Sequence, residues 1–378
     1  MSTTPPRGID PELSLLRGDL REVDDAIVAL LARRQELARK IGEVKLRKEL
    51  PIKAPAVEQD FIGHVRARAA ELGLSAELCE ETARLLIRYS CREQEEGQRV
   101  ERGKASAGRN VLVVGGLGLM GQWTARFMAS SGHTVTLVDA RSAESEFAIA
   151  TDLNEAAVAA DVIVLCTPIS ATARVIDDVR RSKTRALVFD ICSLKSPLIE
   201  AIERARSEGL RITSAHPMFG PSAHYLAGRN ILLCDAGDAS ACDEATLLFK
   251  SSAATLMRIP ILRHDELMRQ VLGLSHLTSL IFADTLTRSG LGLSELMRAG
   301  STSFLAQAAV SGEVVRENRG LYYEIQAENV ATPRLLQQLR ESIEAYATSI
   351  ASRDRAAFES LMKRSCEYFA GPASAPTE

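Results

Sequence analysis

Between Leu13 and Val44, apolar residues recur at alternating steps of three and four. This spacing predicts one long helix over about residues 12–49, ended by Pro51, with a narrow apolar stripe suited to a partner helix. At 1.5 Å per residue the helix would be about 55 Å long, more than one small domain can cover. Two further helices are expected at about 56–72 and 76–100. We therefore expect an all-helical region that forms a dimer or a trimeric helix array.

A different pattern begins at Asn110. Short apolar runs alternate with segments of helical periodicity, which predicts a parallel, doubly wound α/β sheet of the Rossmann type. The runs lie at 111–114, 134–138, 162–166, 186–191, 211–215 and 230–234, and helical segments at 152–160, 170–181, 196–208 and 240–252. Strand patterns stop after Arg263, and residues 265–370 predict helices. The expected organisation is a helical domain at 1–101, a linker at 102–109, a Rossmann domain at 110–262 and an all-α substrate and dimerisation domain at 263–378.

The composition is that of a folded protein of the cytoplasm. Apolar residues make up 46% and charged residues 25%, which excludes a disordered chain. The net charge of −3 gives no reason to expect a nucleic acid or an anionic membrane as partner. No apolar run approaches the roughly 20 residues that cross a bilayer, and the first residues lack the apolar core of a secretory signal. Seven scattered cysteines without a C-x-x-C pair predict reduced thiols and no metal site.

A glycine-rich turn follows the first strand run and opens a helix. Its pattern G-x-G-x-x-G runs from Gly116 to Gly121, and Asp139 ends the next strand run, 139 − 116 = 23 residues later. Such glycines let the backbone approach a pyrophosphate at a helix N-terminus. Asp139 would accept hydrogen bonds from ribose hydroxyls and repel a 2′-phosphate, which favours NAD over NADP, although the nearby Arg141 weakens that preference. The expected cofactor site consists of Gly116, Gly118, Met120, Gly121, Asp139 and Thr167.

Two cations share one face of the first helix. Arg34 lies in the apolar stripe, where a charge is costly unless it meets an anion. Lys45, 11 residues later, is about 20° off the same face, so both side chains can point at one bound ligand. Arg17 lies about 100° away around the helix and would more readily reach a site in a neighbouring subunit. Ion pairs within the protein, or solvated charges, are the alternative explanation.

These segments resemble two enzyme families. The stretch LSLLRGDLREVDDAIVALLARRQELARKIGEVK resembles the first helix of the all-helical chorismate mutases, and VLVVGGLGLMG, DICSLK and AHPMFGP resemble prephenate dehydrogenases. Their order resembles the bifunctional chorismate mutase/prephenate dehydrogenase family (T-protein type) over nearly the whole chain. The resemblance implies a homodimer that rearranges chorismate to prephenate and oxidatively decarboxylates prephenate to 4-hydroxyphenylpyruvate with NAD, in tyrosine biosynthesis.

For the mutase, the resemblance implies a site of cationic and polar groups. Arg34, together with Arg17 of the partner subunit, would bind the two carboxylates of chorismate, and Lys45 and Gln94 would bind its ether oxygen. A [3,3] rearrangement needs no nucleophile, only a folded substrate and positive charge at the breaking C–O bond. A carboxylate and the ring hydroxyl would be contacted by Ser90 and Glu58.

For the dehydrogenase, the resemblance assigns proton transfer to a histidine. His216 would accept the proton of the 4-hydroxyl as hydride leaves C4 for NAD, and loss of CO2 would drive the ring to aromaticity. Ser193 would hydrogen-bond the same hydroxyl, and Lys195 would help to order the site. His276 lies on an apolar helix and is assigned either to the core or to the substrate pocket.

The chain departs from the family pattern in both domains. Val57 stands where the mutases have an arginine, and Ala54 stands where some have an aspartate. In ungapped register Glu313 stands where dehydrogenases have an arginine that binds the substrate carboxylate. If the helix is shifted, Arg316 or Arg319 could make that contact instead.

Three explanations for these departures stay open. The first is that the enzyme is an ordinary member of the family in which other residues make the substrate contacts. Alternatively, it acts on 4-amino-4-deoxychorismate and 4-amino-4-deoxyprephenate, whose cationic amine would favour less positive charge and an added Glu313. Thirdly, the N-terminal helices are a silent dimerisation or regulatory module, which the retention of the predicted mutase residues argues against.

Overall fold

The structure, a computed structural model, describes residues 11–48, 50–102, 108–250 and 252–370. The chain divides into two compact units, Met1–Cys192 with Glu200–Ile261 and Ser193–Ile199 with Leu262–Glu378. Among the helices described, none is long and apolar enough to cross a membrane. Most of the predicted linker at 102–109 lies outside the described residues, and the predicted domain boundaries stay predictions.

The first unit begins with three helices, as the apolar periodicity predicts. They are α1 (Pro11–Arg47), α2 (Pro55–Glu71) and α3 (Ala76–Arg102). Both α1 and α2 pack against α3. A Cβ atom at Gly42 of α1 would lie 3.1 Å from the Gln94 Cα of α3, so the two helices approach closely only because Gly42 has no side chain. The apolar stripe of α1 stays largely exposed, with Leu20 at 59% and Leu30 at 65%.

An eight-stranded sheet follows in the same unit. Its strands are β1 (Asn110–Val114), β2 (Thr134–Val138), β3 (Ala148–Ile149), β4 (Val162–Leu165), β5 (Leu187–Asp190), β6 (Ile212–Pro217), β7 (Asn230–Asp235) and β8 (Thr255–Pro260). They are ordered β3-β2-β1-β4-β5-β6-β7-β8, and the first six in that order are parallel. This part of the sheet has the predicted doubly wound Rossmann arrangement.

One strand pair at the far side of the sheet is antiparallel, a detail that the sequence pattern does not predict. Strand β7 pairs antiparallel with β6, with His216 opposite Leu232, and β8 is parallel to β7. Residues 218–229 contain no helix, and a parallel connection needs a crossover of a dozen or more residues, usually a helix. The sequence pattern also missed β3, which has two residues, and β8, an edge strand whose apolar run is broken by the exposed Arg258.

Helices cover this sheet. They are α4 (Leu119–Ser130), α5 (Leu153–Ala159), α6 (Ile169–Arg181), α7 (Ile199–Ser207) after a 3₁₀ turn at Ser196–Leu198, and α8 (Ala239–Phe249). Buried side chains such as Met128, Leu137, Phe189 and Phe249 form a core around the sheet. Strands β1, β4, β5 and β6 contain wholly buried runs, and the sequence predicts their positions to within about two residues.

The second unit is helical, as predicted after Arg263. Its elements are α9 (Ile261–Met268), a π-helical segment (Arg269–Leu274), α10 (Ser275–Thr287), α11 (Leu293–Ala299), α12 (Thr302–Val314), α13 (Arg319–Ala327), α14 (Thr332–Ala351) and α15 (Arg355–Ala370). The short segment Ser193–Ile199 belongs to this unit, although the chain reaches it from β5 of the first.

Candidate active sites

Arg34 lies between the helices of the first unit. Its guanidinium donates to the Leu86 carbonyl (2.8 Å) and to the Ser90 hydroxyl, and it lies 5.5 Å from the centre of the Phe61 ring. Burial lowers the pKa of Arg34. Within the described residues Arg34 has no salt-bridge partner. A partly desolvated cation without a counter-charge is the arrangement expected of an anion-binding group.

Lys45 is the second cation of this cluster. Its ammonium donates to the Ile52 carbonyl, and burial lowers its pKa, although the nearby Cys91 and Glu58 act in the opposite direction. Gln94 is 6% exposed, and its Oε1 atom has no hydrogen-bond partner among the residues described. The structure therefore brings Arg34, Lys45, Glu58, Ser90 and Gln94 together around α1 and α3.

Arg17 is the residue of the predicted mutase set that lies apart from this cluster. Arg17 is exposed on α1, 17 residues and about 25 Å along the helix from Arg34. Val57, at the position of the missing arginine, is 67% exposed on α2. The assignment of Arg17 to the partner subunit's site stays a prediction.

The glycine turn has the shape of a dinucleotide cradle. Gly115 adopts a φ of +78°, in the left-handed region. A Cβ atom at Gly121 would lie 2.2 Å from the Gly115 carbonyl oxygen, and one at Gly116 would lie 2.8 Å from the Leu137 side chain. Side chains are thus excluded where the turn meets the N-terminus of α4. The residues present fit a dinucleotide pyrophosphate, which needs this close backbone approach.

Asp139 closes the cradle at the end of β2. Its carboxylate accepts from the Leu117 N–H (2.9 Å) and from the backbone N–H (2.9 Å) and Nε (3.0 Å) of Arg141. Burial alone would raise the pKa of Asp139, but these hydrogen bonds lower it below its usual value. The Asp139 side chain is 6% exposed, whereas that of Arg141 is 62% exposed. The carboxylate is thus fixed and charged, and the guanidinium stays open to solvent.

The remaining predicted cofactor residues lie beside this turn in the same unit. Met120 is half-buried in the first turn of α4. Thr167 follows β4, and its hydroxyl lies 2.8 Å from that of Thr172. The assignment of both residues to the cofactor stays a prediction.

His216 lies near the end of β6 and is 4% exposed. After Pro217 the chain enters the loop 218–229, which leads into β7. The loop is fixed beside α4, because the Trp123 indole N–H donates to the Ala223 carbonyl (2.8 Å). The predicted base is therefore held by the sheet on one side and by an anchored loop on the other.

In the second unit, Asp265 organises the segment that carries Ser193 and Lys195. Its carboxylate accepts from the backbone N–H groups of Lys195 (2.9 Å) and Ser196 (2.7 Å), from the Ser196 hydroxyl and from His264 Nδ1 (2.6 Å). Lys195 and His264 are fully buried. Burial alone would raise the pKa of Asp265, but the hydrogen bonds from His264 and Ser196 lower it. The predicted Lys195 thus lies in a buried polar network.

His276 and Glu313 also lie in the second unit. The His276 ring stacks on Tyr322 with centroids 4.2 Å apart, and its Nδ1 is buried without a hydrogen-bond partner among the described residues. Burial lowers the pKa of His276 and so favours the neutral ring. Glu313 is exposed in the last turn of α12. Substrate contacts of these two residues stay predictions.

Sequence reasoning missed three residues near these sites: Asp265, Cys91 and Glu95. Asp265 lies 70 residues from Lys195 along the chain, and Glu95 lies 131 residues from its partner Leu226. Buried carboxylates in helices that otherwise carry many surface charges have no local pattern that sets them apart. The adjacent His264 is the one local signal at Asp265, and an exposed His–Asp pair would have the same sequence.

Comparison with known proteins gives one match to the N-terminal helices and another to the region of the sheet. Residues 16–95 match the family model for chorismate mutase type II, and residues 124–257 match that for the prephenate dehydrogenase nucleotide-binding domain. The T-protein of Enterobacter agglomerans is 26% identical over 95% of this chain and 93% of its own length. The 4-amino-4-deoxyprephenate dehydrogenase of Streptomyces pristinaespiralis is 27% identical over 69% of this chain and 90% of its own length.

A solved structure shares the fold of the dehydrogenase part. The prephenate dehydrogenase of Aquifex aeolicus, in complex with hydroxyphenyl propionate and NAD+, has a TM-score of 0.56 and 16% identity over 70% of this chain and 99% of that chain. The two family matches and the T-protein match over nearly the whole chain indicate the same pair of enzyme domains. The chain therefore belongs to the family of bifunctional chorismate mutase/prephenate dehydrogenases.

Proposed function

We propose that the chain converts chorismate to prephenate in its N-terminal helices and prephenate to 4-hydroxyphenylpyruvate in its dehydrogenase part, as a step of tyrosine biosynthesis. The observation that carries the proposal is the pair Arg34 and Lys45. Both cations are partly desolvated, lie on one face of α1 and have no salt-bridge partner in the described chain. A dianionic substrate supplies the missing counter-charge.

In the mutase site, the cations act on a substrate that rearranges without a nucleophile. Arg34 is proposed to bind a carboxylate and so to hold chorismate in its folded form. Lys45 and Gln94 are proposed to stabilise the negative charge that grows on the ether oxygen as the C–O bond breaks. Gln94 is buried, and the NH2 group of its amide is the donor that would contact the ether oxygen.

In the dehydrogenase, His216 is proposed as the base. The nicotinamide cofactor, held by the turn at Gly116–Gly121 and by Asp139, supplies a hydride acceptor. His216 accepts the proton of the 4-hydroxyl as C4 loses hydride, and the bond to the ring carboxylate then breaks to release CO2 and give the aromatic ring. The roles of Ser193, Lys195 and His276 remain those implied by the resemblance.

NAD is proposed as the preferred cofactor over NADP. The Asp139 carboxylate is fixed by the Leu117 N–H and by Arg141, and the hydrogen bonds that lower its pKa keep it charged. A fixed negative charge at this position accepts from ribose hydroxyls and repels a 2′-phosphate. Arg141 moderates the preference because its exposed guanidinium can turn toward a phosphate.

A homodimer is proposed through α1 and the C-terminal helices. Apolar side chains along the stripe, including Leu16, Val23 and Ile27, are about half exposed. So long an exposed apolar stripe is typical of an interface rather than of a free surface. A second copy of α1 would cover it and would bring Arg17 of the partner subunit to the mutase site.

The 4-amino analogues are the second candidate substrates. The relative from Streptomyces pristinaespiralis is named as a dehydrogenase for 4-amino-4-deoxyprephenate. Val57 and Glu313 both make the chain less positive than the family pattern, which would suit a cationic amine.

A paired assay of the purified chain tests these proposals. Loss of substrate and formation of NADH are measured with chorismate and with 4-amino-4-deoxychorismate. We expect chorismate to be consumed and NADH to form. Preference for the amino substrate would replace the first candidate by the second, and oxidation of prephenate without loss of chorismate would identify the helices as a silent module.

The two positions that break the family pattern give a sharper comparison. For an enzyme of the amino substrates, Val57→Arg with Glu313→Arg should improve kcat/KM for chorismate and prephenate about tenfold or more, the effect of one charge-assisted contact. For an enzyme of the hydroxy substrates, the same changes should have little effect, because Arg316 or Arg319 then binds the carboxylate.

A further inference from the structure

Helix α3 carries two adjacent rows of side chains with different partners. Ser90 and Gln94 lie in the row beside α1 and belong to the proposed mutase site. Cys91 and Glu95 follow each of them by one residue, about 100° further around the helix. Cys91 of this second row packs against the sheet part of the same unit, and Glu95 binds the loop after His216.

Glu95 connects α3 to the loop that follows His216. The Leu226 N–H donates to the Glu95 carboxylate, at 3.0 Å from Oε2 and 3.3 Å from Oε1. Glu95 is 3% exposed and Leu226 is 1% exposed. A buried carboxylate that accepts from a backbone N–H makes a charge-assisted hydrogen bond, which is stronger than a neutral one.

Apolar contacts surround this hydrogen bond. Ile87 and Cys91 of α3, with Ile52 ahead of α2, pack against Ala227 of the loop and Ala253 ahead of β8. Ile52 and Ala253 are almost fully buried. The contact between α3 and the loop 218–229 is thus a packed, desolvated seam and not a surface contact.

Another part of the same loop contacts the helix that begins at the dinucleotide cradle. The Trp123 indole N–H donates to the Ala223 carbonyl (2.8 Å), and the Trp123 ring lies edge-on to Phe219, with centroids 5.0 Å apart. The loop 218–229 is therefore fixed between α3 of the mutase helices and α4 of the nucleotide-binding domain. It begins two residues after His216.

We propose that Glu95 is a positioning residue of the dehydrogenase, which holds the loop 218–229 and through it the end of β6 that carries His216. The inference rests on the proposed function of His216. In this proposal α3 contributes to the mutase site and also stabilises the dehydrogenase site. This gives a physical reason why the two domains occur in one chain.

The test compares Glu95→Ala with Glu93→Ala in the full-length chain. Glu93 is on the same helix, but its carboxylate lies 3.9 Å from Arg39 of α1 and not at the loop. We expect Glu95→Ala to lower kcat/KM for prephenate oxidation about tenfold or more, the effect of losing a hydrogen bond to a charged group. Mutase kcat/KM should stay within about twofold in both variants, because neither carboxylate belongs to the proposed mutase site.

Trp123 provides an independent readout, because it is the only tryptophan of the chain. Without NAD, acrylamide should quench the fluorescence of Trp123 more strongly in Glu95→Ala than in Glu93→Ala, since the loop that contacts the indole is then loosened. Glu95→Gln keeps an oxygen that can accept from Leu226 and should fall between the native chain and Glu95→Ala in both measurements.

The outcomes separate the inference from the proposed function. If the unmodified chain does not oxidise prephenate, the proposed function fails, while the quenching of Trp123 still tests the loop contact. If Glu95→Ala behaves like Glu93→Ala, or if its mutase activity falls in parallel, the inference is overturned. If Glu95→Ala does not fold, Glu95→Gln is used instead, and the ratio of dehydrogenase to mutase activity is compared with that of the native chain. A ratio lowered about threefold or more supports the inference, and an unchanged ratio overturns it.

Discussion

Replacing Asp265 by asparagine should destabilise the second unit and impair prephenate oxidation. In the native chain this buried carboxylate accepts from two backbone N–H groups, the Ser196 hydroxyl and His264. Asparagine has almost the same shape, but it loses the charge and turns an NH2 group toward buried donors. The segment that carries Ser193 and Lys195 should therefore lose its fixed conformation.

The loss of stability in Asp265→Asn can be bounded from the hydrogen bonds that the carboxylate accepts. Each hydrogen bond to a charged group contributes about 1.5–3 kcal/mol, but members of one network are not additive. Breaking a buried charged network by removing one partner costs about 3–5 kcal/mol. The control is Asp284→Asn on α10, where the ion pair with Arg288 has both side chains more than half exposed and should cost less than about 1 kcal/mol.

Hydrogen exchange of peptides that span 193–199 is the suitable assay, because it reports local opening and does not require the whole chain to unfold in one step. The free energy of opening should fall by about 3–5 kcal/mol in Asp265→Asn, with unchanged mutase activity. Opening energies like those of Asp284→Asn would refute the view that this network holds the segment.

Acidity gives a second check on the same residue. The pKa of Asp265 is lower in the folded chain than its ordinary value, so its contribution to stability is present above the unfolded pKa of about 3.9 and is lost as the pH falls through the folded pKa. The native chain should therefore lose stability more steeply below about pH 4 than Asp265→Asn does. If stability fell with pH equally steeply in the native chain and in Asp265→Asn, the charged state assigned to Asp265 in the folded chain would be contradicted.

Three further outcomes are expected. His216→Asn should lower dehydrogenase kcat by roughly 10²–10⁴-fold and leave NAD binding and the mutase nearly unchanged; near-normal oxidation would exclude this histidine as the base. NAD should be preferred to NADP in steady-state kinetics, and Asp139→Ala should narrow or reverse the preference; equal kcat/KM values in the unmodified chain would rule out the proposed role of this carboxylate. Sedimentation should show a dimer, and a stable monomer at micromolar concentration would leave the apolar stripe of α1 without the proposed partner.

Local patterns accounted for much of the fold. The step of three and four from Leu13 to Val44 predicts α1 to within a few residues of its observed bounds, Pro11–Arg47. Buried runs such as Val111–Val114 predict the central strands, because both faces of those strands are covered and every residue is apolar. Arg34 was identifiable as unusual because a cation interrupted an apolar stripe.

Other features lie beyond any local pattern. The antiparallel direction of β7 depends on the lack of a crossover helix in 218–229, and the weak edge strand β8 is defined by its pairing with β7. Their residues alone do not distinguish these arrangements from a further parallel repeat.

The sequence by itself determined the periodic elements, the glycine cradle and the identity of the two enzyme domains, since each depends on residue types at short, regular spacings. Only the tertiary structure decided that Asp265 holds the segment of Lys195, and that Glu95 holds the loop after His216. Both are buried carboxylates that accept backbone N–H groups from residues distant in sequence. A backbone N–H is present at every residue except proline, so the acceptor's partner is set by which chain segments pack together and not by which residues they contain.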